Sequence, residues 1–447
     1  MRKFRKHQRA AWRYAAPRAS IALFMQMRLG KTLVFIRWAV LKANGGPVLV
    51  ITPTTTFHVW ERELAAEGHK AVILSGSSKA KLNSLIAGKH VGRQFFIVNP
   101  EGLRACPGLA DEINFRVVGC DESGGWLTNP KSQISKTLRR KLADVPFKAL
   151  LTGLPDPNGA DDYVTQMIFA FGKFMGFKDY WPWRLRYMQP SFGGGWELFR
   201  GSAKKIRKAV RRLAFRMTTK QAGLFVPKIR QTRVVEIPPA VRKLFKECKR
   251  DFSVGDVDTK FAAVAHMWLR RLAGGSVPGG GEFHKFKVNE LVKLLTGELK
   301  GQRVVVFASF IAEIKAIHAA LKKAKIKAHR ITGLTKRRFR PELLDDFTAG
   351  RVDVIVVQSK IGRYGLNLSA GSAIVFYSND EDWDIRSQCE ARCDHMDKKE
   401  PVLIVDLVTA GTLDPDILKV LSGKKVSSAY FAHAMTVRAK QLMGLAA

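Results

Sequence analysis

Acidic residues are scarce in this chain: 38 Asp and Glu stand against 76 Lys and Arg in 447 residues, a formal charge of +38. Such an imbalance draws in polyanions and leaves nucleic acid or a membrane surface as the partner. Long hydrophobic runs are also missing. No segment approaches the ~20 apolar residues that span a bilayer. The basic start, Met1–Arg18, leads into a run broken at Arg28 and Lys31, so no signal peptide is read and a cytoplasmic protein is expected. Cysteine is the third scarcity. Five scattered cysteines form no disulfide framework and suit a reducing compartment. Cys389, Cys393 and His395 lie close together but lack the second ligand pair of a zinc site. The rest, 46% hydrophobic and 26% charged, is a globular composition, long enough for two to three domains. Nucleic acid is the expected partner, and membrane is not.

The stretch that organises the chain is Met25-Gln26-Met27-Arg28-Leu29-Gly30-Lys31-Thr32. It follows the apolar run Ile21–Phe24 and opens a run with helical patterning, Leu33–Leu41. A strand feeding a tight turn into a helix start is a phosphate cradle. Gly30 allows close approach, free N–H groups face the phosphates, Lys31 neutralises charge, and the Thr32 hydroxyl can ligate Mg²⁺. The strict pattern Gly-x-x-x-x-Gly-Lys-Ser/Thr is not met, because Met25 takes the first glycine position. Upstream, Gln8 sits in the basic segment Arg2–Arg13 and can either read an adenine edge or line a solvated helix face.

Short apolar runs at Pro47–Thr52, Ala71–Leu74, Phe95–Val98, Arg116–Gly119 and Ala149–Leu151 alternate with helical patterns. That alternation predicts a doubly wound α/β layer with ligands at the carboxyl ends of its strands. Asp121-Glu122-Ser123 follows one such strand. The pair can divide into a Mg²⁺-holding Asp121 and a water-polarising Glu122, or serve only as a helix N-cap with acids in its first turn.

In this order the motifs resemble those of the Swi/Snf-type ATP-dependent DNA translocases of helicase superfamily two, nearly end to end. Gln8 matches the adenine-reading glutamine. Met27 and Leu29-Gly30-Lys31-Thr32 match Met-Gly-Leu-Gly-Lys-Thr, with Arg28 in place of its first Gly. Thr52-Pro53 with Trp60 and Glu63 resembles motif Ia, and Val98-Asn99-Pro100-Glu101 resembles Ib. Asp121-Glu122-Ser123 carries Gly124 where the family has His. Thr152-Gly153-Leu154-Pro155 with Asn158 is similar to motif III. Gly362, Gly365, Leu366, Asn367 and Leu368 resemble motif V. Trp383-Asp384 and Gln388 with Arg392 resemble motif VI, whose last Arg is His395 here.

The resemblance implies two tandem RecA-like parallel-sheet α/β domains with a helical, basic insertion: residues 1–170, 171–230 and 231–447, closed by brace helices. The insertion carries a Trp/Tyr-rich patch (Tyr180, Trp181, Trp183, Tyr187). From Arg200 to Arg230 it holds eleven Lys or Arg and no acid. Ile206, Val210, Leu213 and Met217 recur at helical spacing, so one face packs and Lys205, Arg207, Lys208, Arg211 and Arg212 lie on the other. That face is either solvated or a phosphate track. By resemblance ATP and Mg²⁺ are the cofactors. Lys31, Asp121, Glu122, Gln388 and Arg392 serve turnover. Gln8, Arg28, Gly30, Lys31, Thr32 and Gly365 hold nucleotide, and Thr32 and Asp121 hold the metal. Thr54, Thr152 and Trp383 join the basic residues on DNA, preferably double-stranded. The expected activity is ATP hydrolysis between two lobes that moves a monomer along DNA in a bacterial or phage-infected cytoplasm. A strand-separating DNA or RNA helicase, an ATP-gated clamp and a structural nucleic-acid binder are the alternatives.

Overall fold

The computed structural model describes the chain except at residues 1, 91, 93, 192–194, 240, 244, 246–252, 255–256, 259–261, 278–282, 363–365, 394–399 and 423–447. It forms two compact units, Met1–Phe225 and Val226–Ala447. No helix among the described residues is long and apolar enough to cross a membrane.

The first unit is built on β1 (Ser20–Met25), β2 (Val48–Ile51), β3 (Ala71–Ile73), β4 (Phe95–Val98), β5 (Val117–Asp121) and β6 (Phe147–Leu151). A hairpin of β7 (Met188–Pro190) and β8 (Trp196–Leu198) stands apart, and β9 (Phe215–Met217) returns to the sheet. The sheet order is β3-β4-β2-β5-β6-β1-β9, and every pairing in it is parallel. Side chains alternate across each strand, so both faces need cover. On β1, Ile21, Leu23 and Met25 enter one core with Ala11, Val34, Phe35 and Trp38, while Ala22 and Phe24 enter the other with Tyr163 and Met167. That two-sided burial is why the strand reads as an unbroken apolar run.

The insertion is more mixed than its sequence suggests. A helix runs Tyr180–Tyr187 and another Ser202–Leu213. The helical spacing of Ile206, Val210, Leu213 and Met217 ends at Leu213, because Ala214 is already extended and Met217 pairs with Met25 in the sheet. Phe215 and Met217 pack against the core beneath β1, a stronger claim on them than a further helical turn.

The second unit opens on β10 (Lys228–Val235), followed by the short hairpin β11 (Ser253–Val254) and β12 (Val257–Asp258). Then come β13 (Val304–Ala308), β14 (Ala328–Ile331), β15 (Val354–Gln358), β16 (Ala373–Phe376) and β17 (Val402–Thr409). Their order is β10-β17-β16-β13-β15-β14, again all parallel. The junction expected at Gln231 falls inside β10, where Gln231 pairs with Val405. As a largely exposed edge strand, β10 carries Lys228, Arg230 and Arg233 instead of an apolar run, which hid it in the sequence.

Candidate functional site

The end of β1 delivers the chain to the carboxyl edge of the first sheet, where Gln26–Gly30 turn into helix α1 (Lys31–Ala43). Gly30 takes φ 71° as its N-cap, and Arg28 takes φ 65°. Both lie in the left-handed region, which glycine enters freely and a residue with a Cβ does not. The loop therefore keeps a glycine-type backbone at a position where this chain has arginine. Lys31 is buried at 9% exposure, and Thr32 is half-buried. The first four N–H groups of a helix have no intrahelical acceptor, so this helix start can take an anion.

Two side chains of the preceding helix (Lys6–Ala15) press on the loop. His7 Nε2 donates to the Leu29 carbonyl at 3.0 Å; burial lowers the imidazole pKa, which favours the neutral ring. Gln8 is 5% exposed, so it is not on a solvated face. Its amide oxygen accepts from Arg5 N–H at 2.9 Å, and its nitrogen lies 3.5 Å from the Gly30 carbonyl. A Cβ at residue 30 would stand 2.0 Å from that nitrogen, and the flexible Gln8 side chain would have to move to admit it.

Asp121 ends β5 at the same edge, 6% exposed. Its Oδ2 accepts from Trp60 Nε1 at 2.9 Å and from Thr52 Oγ1 at 3.0 Å, and its carbonyl accepts from Trp126 Nε1 at 2.9 Å. Burial and the adjoining Glu122 push the Asp121 carboxyl up to about 6, against the pull of Lys31, Trp60 and Thr52. A carboxylate in that position gains most from a nearby cation. Glu122 sits at φ 48°, outside helical geometry, and its Oε1 lies 3.6 Å from Lys31 Nζ. The acid pair is thus not a plain helix cap. Thr32 and Asp121 are the side chains that would hold Mg²⁺, with a triphosphate supplying further oxygens. The ion would neutralise phosphate charge.

Gly124, where the resemblance expects His, has a structural reason to stay small: a Cβ there would lie 2.0 Å from the Leu154 carbonyl oxygen. The Asp-Glu turn and the Thr152–Pro155 turn therefore touch backbone to backbone. Thr152, expected on DNA, is 1% exposed, and its hydroxyl accepts from Leu154 N–H at 3.2 Å. It closes a turn and does not reach the surface.

On the helix Ser202–Leu213, Ile206 and Val210 are buried while Lys208, Arg211 and Arg212 are exposed. Arg207 turns inward, with Nε 3.7 Å from Asp156 Oδ2. Thr54 is half-buried in the one-turn helix after β2.

In the second unit, the helix Trp383–Ala391 carries three expected residues. Trp383 is 40% exposed at its start. Gln388 is buried, its Nε2 donating to Asp384 Oδ1 at 2.8 Å. Arg392 caps the helix half-buried, donating its N–H to the Cys389 carbonyl at 3.1 Å. Gly365 and His395 lie outside the described residues. Sequence reading missed Arg386, which braces this helix. Its guanidinium meets Asp406 at 2.5 and 2.9 Å and Glu390 at 2.8 Å, and lies 3.6 Å over the Phe376 ring. Sequence reading placed Thr52 in motif Ia without its hydrogen bond to Asp121, and it gave no signal for the contact of His7 with Leu29.

The chain matches the SNF2-related domain over residues 7–305 and the helicase conserved C-terminal domain over residues 286–396. It is 24% identical to the human chromodomain-helicase-DNA-binding protein 1 over 453 residues, covering 91% of this chain and 25% of that protein. It is 29% identical to ATP-dependent helicase fft3 of Schizosaccharomyces pombe over 157 residues, 34% of this chain and 17% of that one. The chain thus spans a quarter or less of these relatives. Among solved structures, the Hef helicase domain of Pyrococcus furiosus shares the fold at TM-score 0.53 and 17% identity, covering 94% of this chain and 98% of that chain. The extent of the SNF2-related match, with the helicase C-terminal domain after it, makes this chain a member of the Swi/Snf-type ATPases of helicase superfamily two.

Proposed function

We propose that this protein hydrolyses ATP to move along DNA, double-stranded by preference. The observation that carries the reading is the convergence of Gly30, Lys31, Thr32, Asp121 and Glu122 at one edge of the first sheet, with Lys31 Nζ 3.6 Å from Glu122 Oε1. Lys31 would leave Glu122 for the β and γ phosphates. Glu122 would then be freed to orient the attacking water, and Asp121 and Thr32 would hold Mg²⁺. Gln8 would exchange its present contacts for the adenine edge, and Arg28 would add a cation beside the phosphates. By the family resemblance, Gln388 and Arg392 would serve turnover and Gly365 would hold nucleotide.

DNA would lie on Lys208, Arg211 and Arg212, with Thr54 and Trp383 as further contacts. The net charge of +38 and the match to a family whose members include DNA-binding helicases support a DNA partner. Residues 1–170, 171–230 and 231–447 would act as motor lobe, basic insertion and second lobe, in a cytoplasmic monomer.

The test is steady-state ATP turnover with no polymer, duplex DNA, single-stranded DNA or RNA. Duplex should stimulate most. Lys31→Ala should abolish turnover and weaken nucleotide binding, while Glu122→Gln should bind ATP and not hydrolyse it. Parental rates in both variants would remove the site assignment. Binding without turnover in the parent would favour an ATP-gated clamp.

A further inference from the structure

The helix Tyr180–Tyr187 uses its aromatic residues in two ways. Trp183 is fully buried and touches the rings of Tyr180 and Tyr187, with centroids 5.7 and 5.4 Å away. These rings join the core that also holds Ile206 and Val210. Trp181, Arg184 and Leu185 stand at i, i+3 and i+4, a spacing that forms one stripe. That stripe remains at the surface, with Trp181 36% and Leu185 68% exposed. The adjoining hairpin adds Trp196 at 38%, and Phe199 beyond it is 40% exposed.

Arg184 ties the two surface tryptophans together. Its guanidinium carbon lies 4.0 Å from the Trp196 ring centre and 4.7 Å from that of Trp181. Lys131 Nζ approaches Trp181 at 5.4 Å. Arg184 Nε is buried and has no hydrogen-bond partner among the described residues. A guanidinium between two indoles is held flat and in place, so little side-chain freedom remains to be lost on binding. The patch thus offers aromatic surface, a fixed guanidinium and a second cation within one short helix and its hairpin.

We propose that the Trp181–Arg184–Trp196 stack is a docking platform for unpaired bases of a single-stranded nucleic acid. Every base has a π-face that an indole or guanidinium can stack on, whereas bases within a duplex are already stacked and present mainly edges. Charge selects a polyanion over a neutral apolar partner. Lys131 and Arg184 sit in the patch, and three residues beyond Phe199 begins the helix that exposes Lys204, Lys205, Lys208, Arg211 and Arg212. One strand would lay its phosphates along that helix and a base on the indoles. This inference stands apart from the ATP site and does not rest on the hydrolysis reading.

The test is equilibrium binding of fluorescent oligo(dT), oligo(U) and a blunt duplex of equal length to the full chain without nucleotide. Trp181→Ala should weaken both single strands by roughly tenfold, within the range for losing one stacked base, and change duplex binding less than twofold. Trp181→Phe, which keeps a ring, should recover most of the loss and guards against misfolding of the alanine variant. Equal losses on duplex and single strands would overturn the proposal. So would unchanged single-strand binding in a folded Trp181→Ala protein, which would leave this surface to a protein partner. Oligo(U) matching oligo(dT) would mark stacking alone as the recognition, and either polymer behaving as described supports it.

Discussion

Trp60 holds Asp121. The indole Nε1 donates to Asp121 Oδ2 at 2.9 Å, both residues buried, across 61 residues of chain. A tryptophan on the helix after β2 thereby aims the carboxylate that ends β5. Trp60→Phe keeps the apolar bulk and removes the donor. Hydrogen bonds to charged groups contribute about 1.5–3 kcal/mol. Mg²⁺-dependent ATP turnover should fall about tenfold with little change in KM, as read in steady-state kinetics. Parental kcat would show that Thr52 alone positions the carboxylate.

Arg28 at φ 65° carries backbone strain that its family counterpart avoids. The left-handed region costs a residue with a Cβ about 1–2 kcal/mol, partly offset in a glycine variant by greater freedom of the unfolded chain. Arg28→Gly should raise the melting temperature by roughly 1–3 °C while weakening ATP binding through loss of a cation. Arg28→Ala, which retains the strain and loses the charge, should weaken ATP binding without the stability gain. Calorimetry and nucleotide titration on the two variants separate strain from charge.

Lys208, Arg211 and Arg212 are exposed on one helix, whereas Arg207 is paired with Asp156. Replacing the three exposed residues with Gln should reduce the salt dependence of DNA binding. Each lost phosphate contact should flatten the slope of log K against log salt by about 0.9. Arg207→Gln alone should change that slope little. A triple variant with an unaltered slope would assign the helix to solvent.

Asp162 opens the helix Asp162–Phe171 beside the Thr152–Pro155 turn, its Oδ2 accepting from Asn158 N–H at 2.7 Å. Burial pushes its carboxyl up to about 7 from the model-compound 3.8. The folded chain therefore binds this proton more tightly than the unfolded chain. Stability from the group is complete below about pH 4 and is lost progressively as pH rises to about 7, then levels. Asp162→Asn, neutral throughout, should match the parent near pH 4 and exceed it in melting temperature by a margin that grows up to neutrality. A constant margin from pH 4 to 8 would contradict the shift.

The sequence by itself was enough for the strands buried on both faces and for the turn between β1 and helix α1, because each is local. A strand buried on both faces must be a continuous apolar run, as at Val48–Ile51. A turn that leads from a strand straight into a helix must close within a few residues, as Gly30-Lys31-Thr32 does after β1. Two edge strands escaped that logic: β9 interrupts its apolar residues with Arg216, and β10 is basic and exposed. Tertiary structure alone decided which partners complete each residue. Thr52 and Trp60 converge on Asp121, His7 and Gln8 brace the loop, Thr152 is withdrawn from the surface, and Arg184 is clasped between Trp181 and Trp196. No spacing encodes these relations, since they depend on how distant segments pack. A Trp donates equally well in any buried place, and only the fold determines which carboxylate lies within its reach.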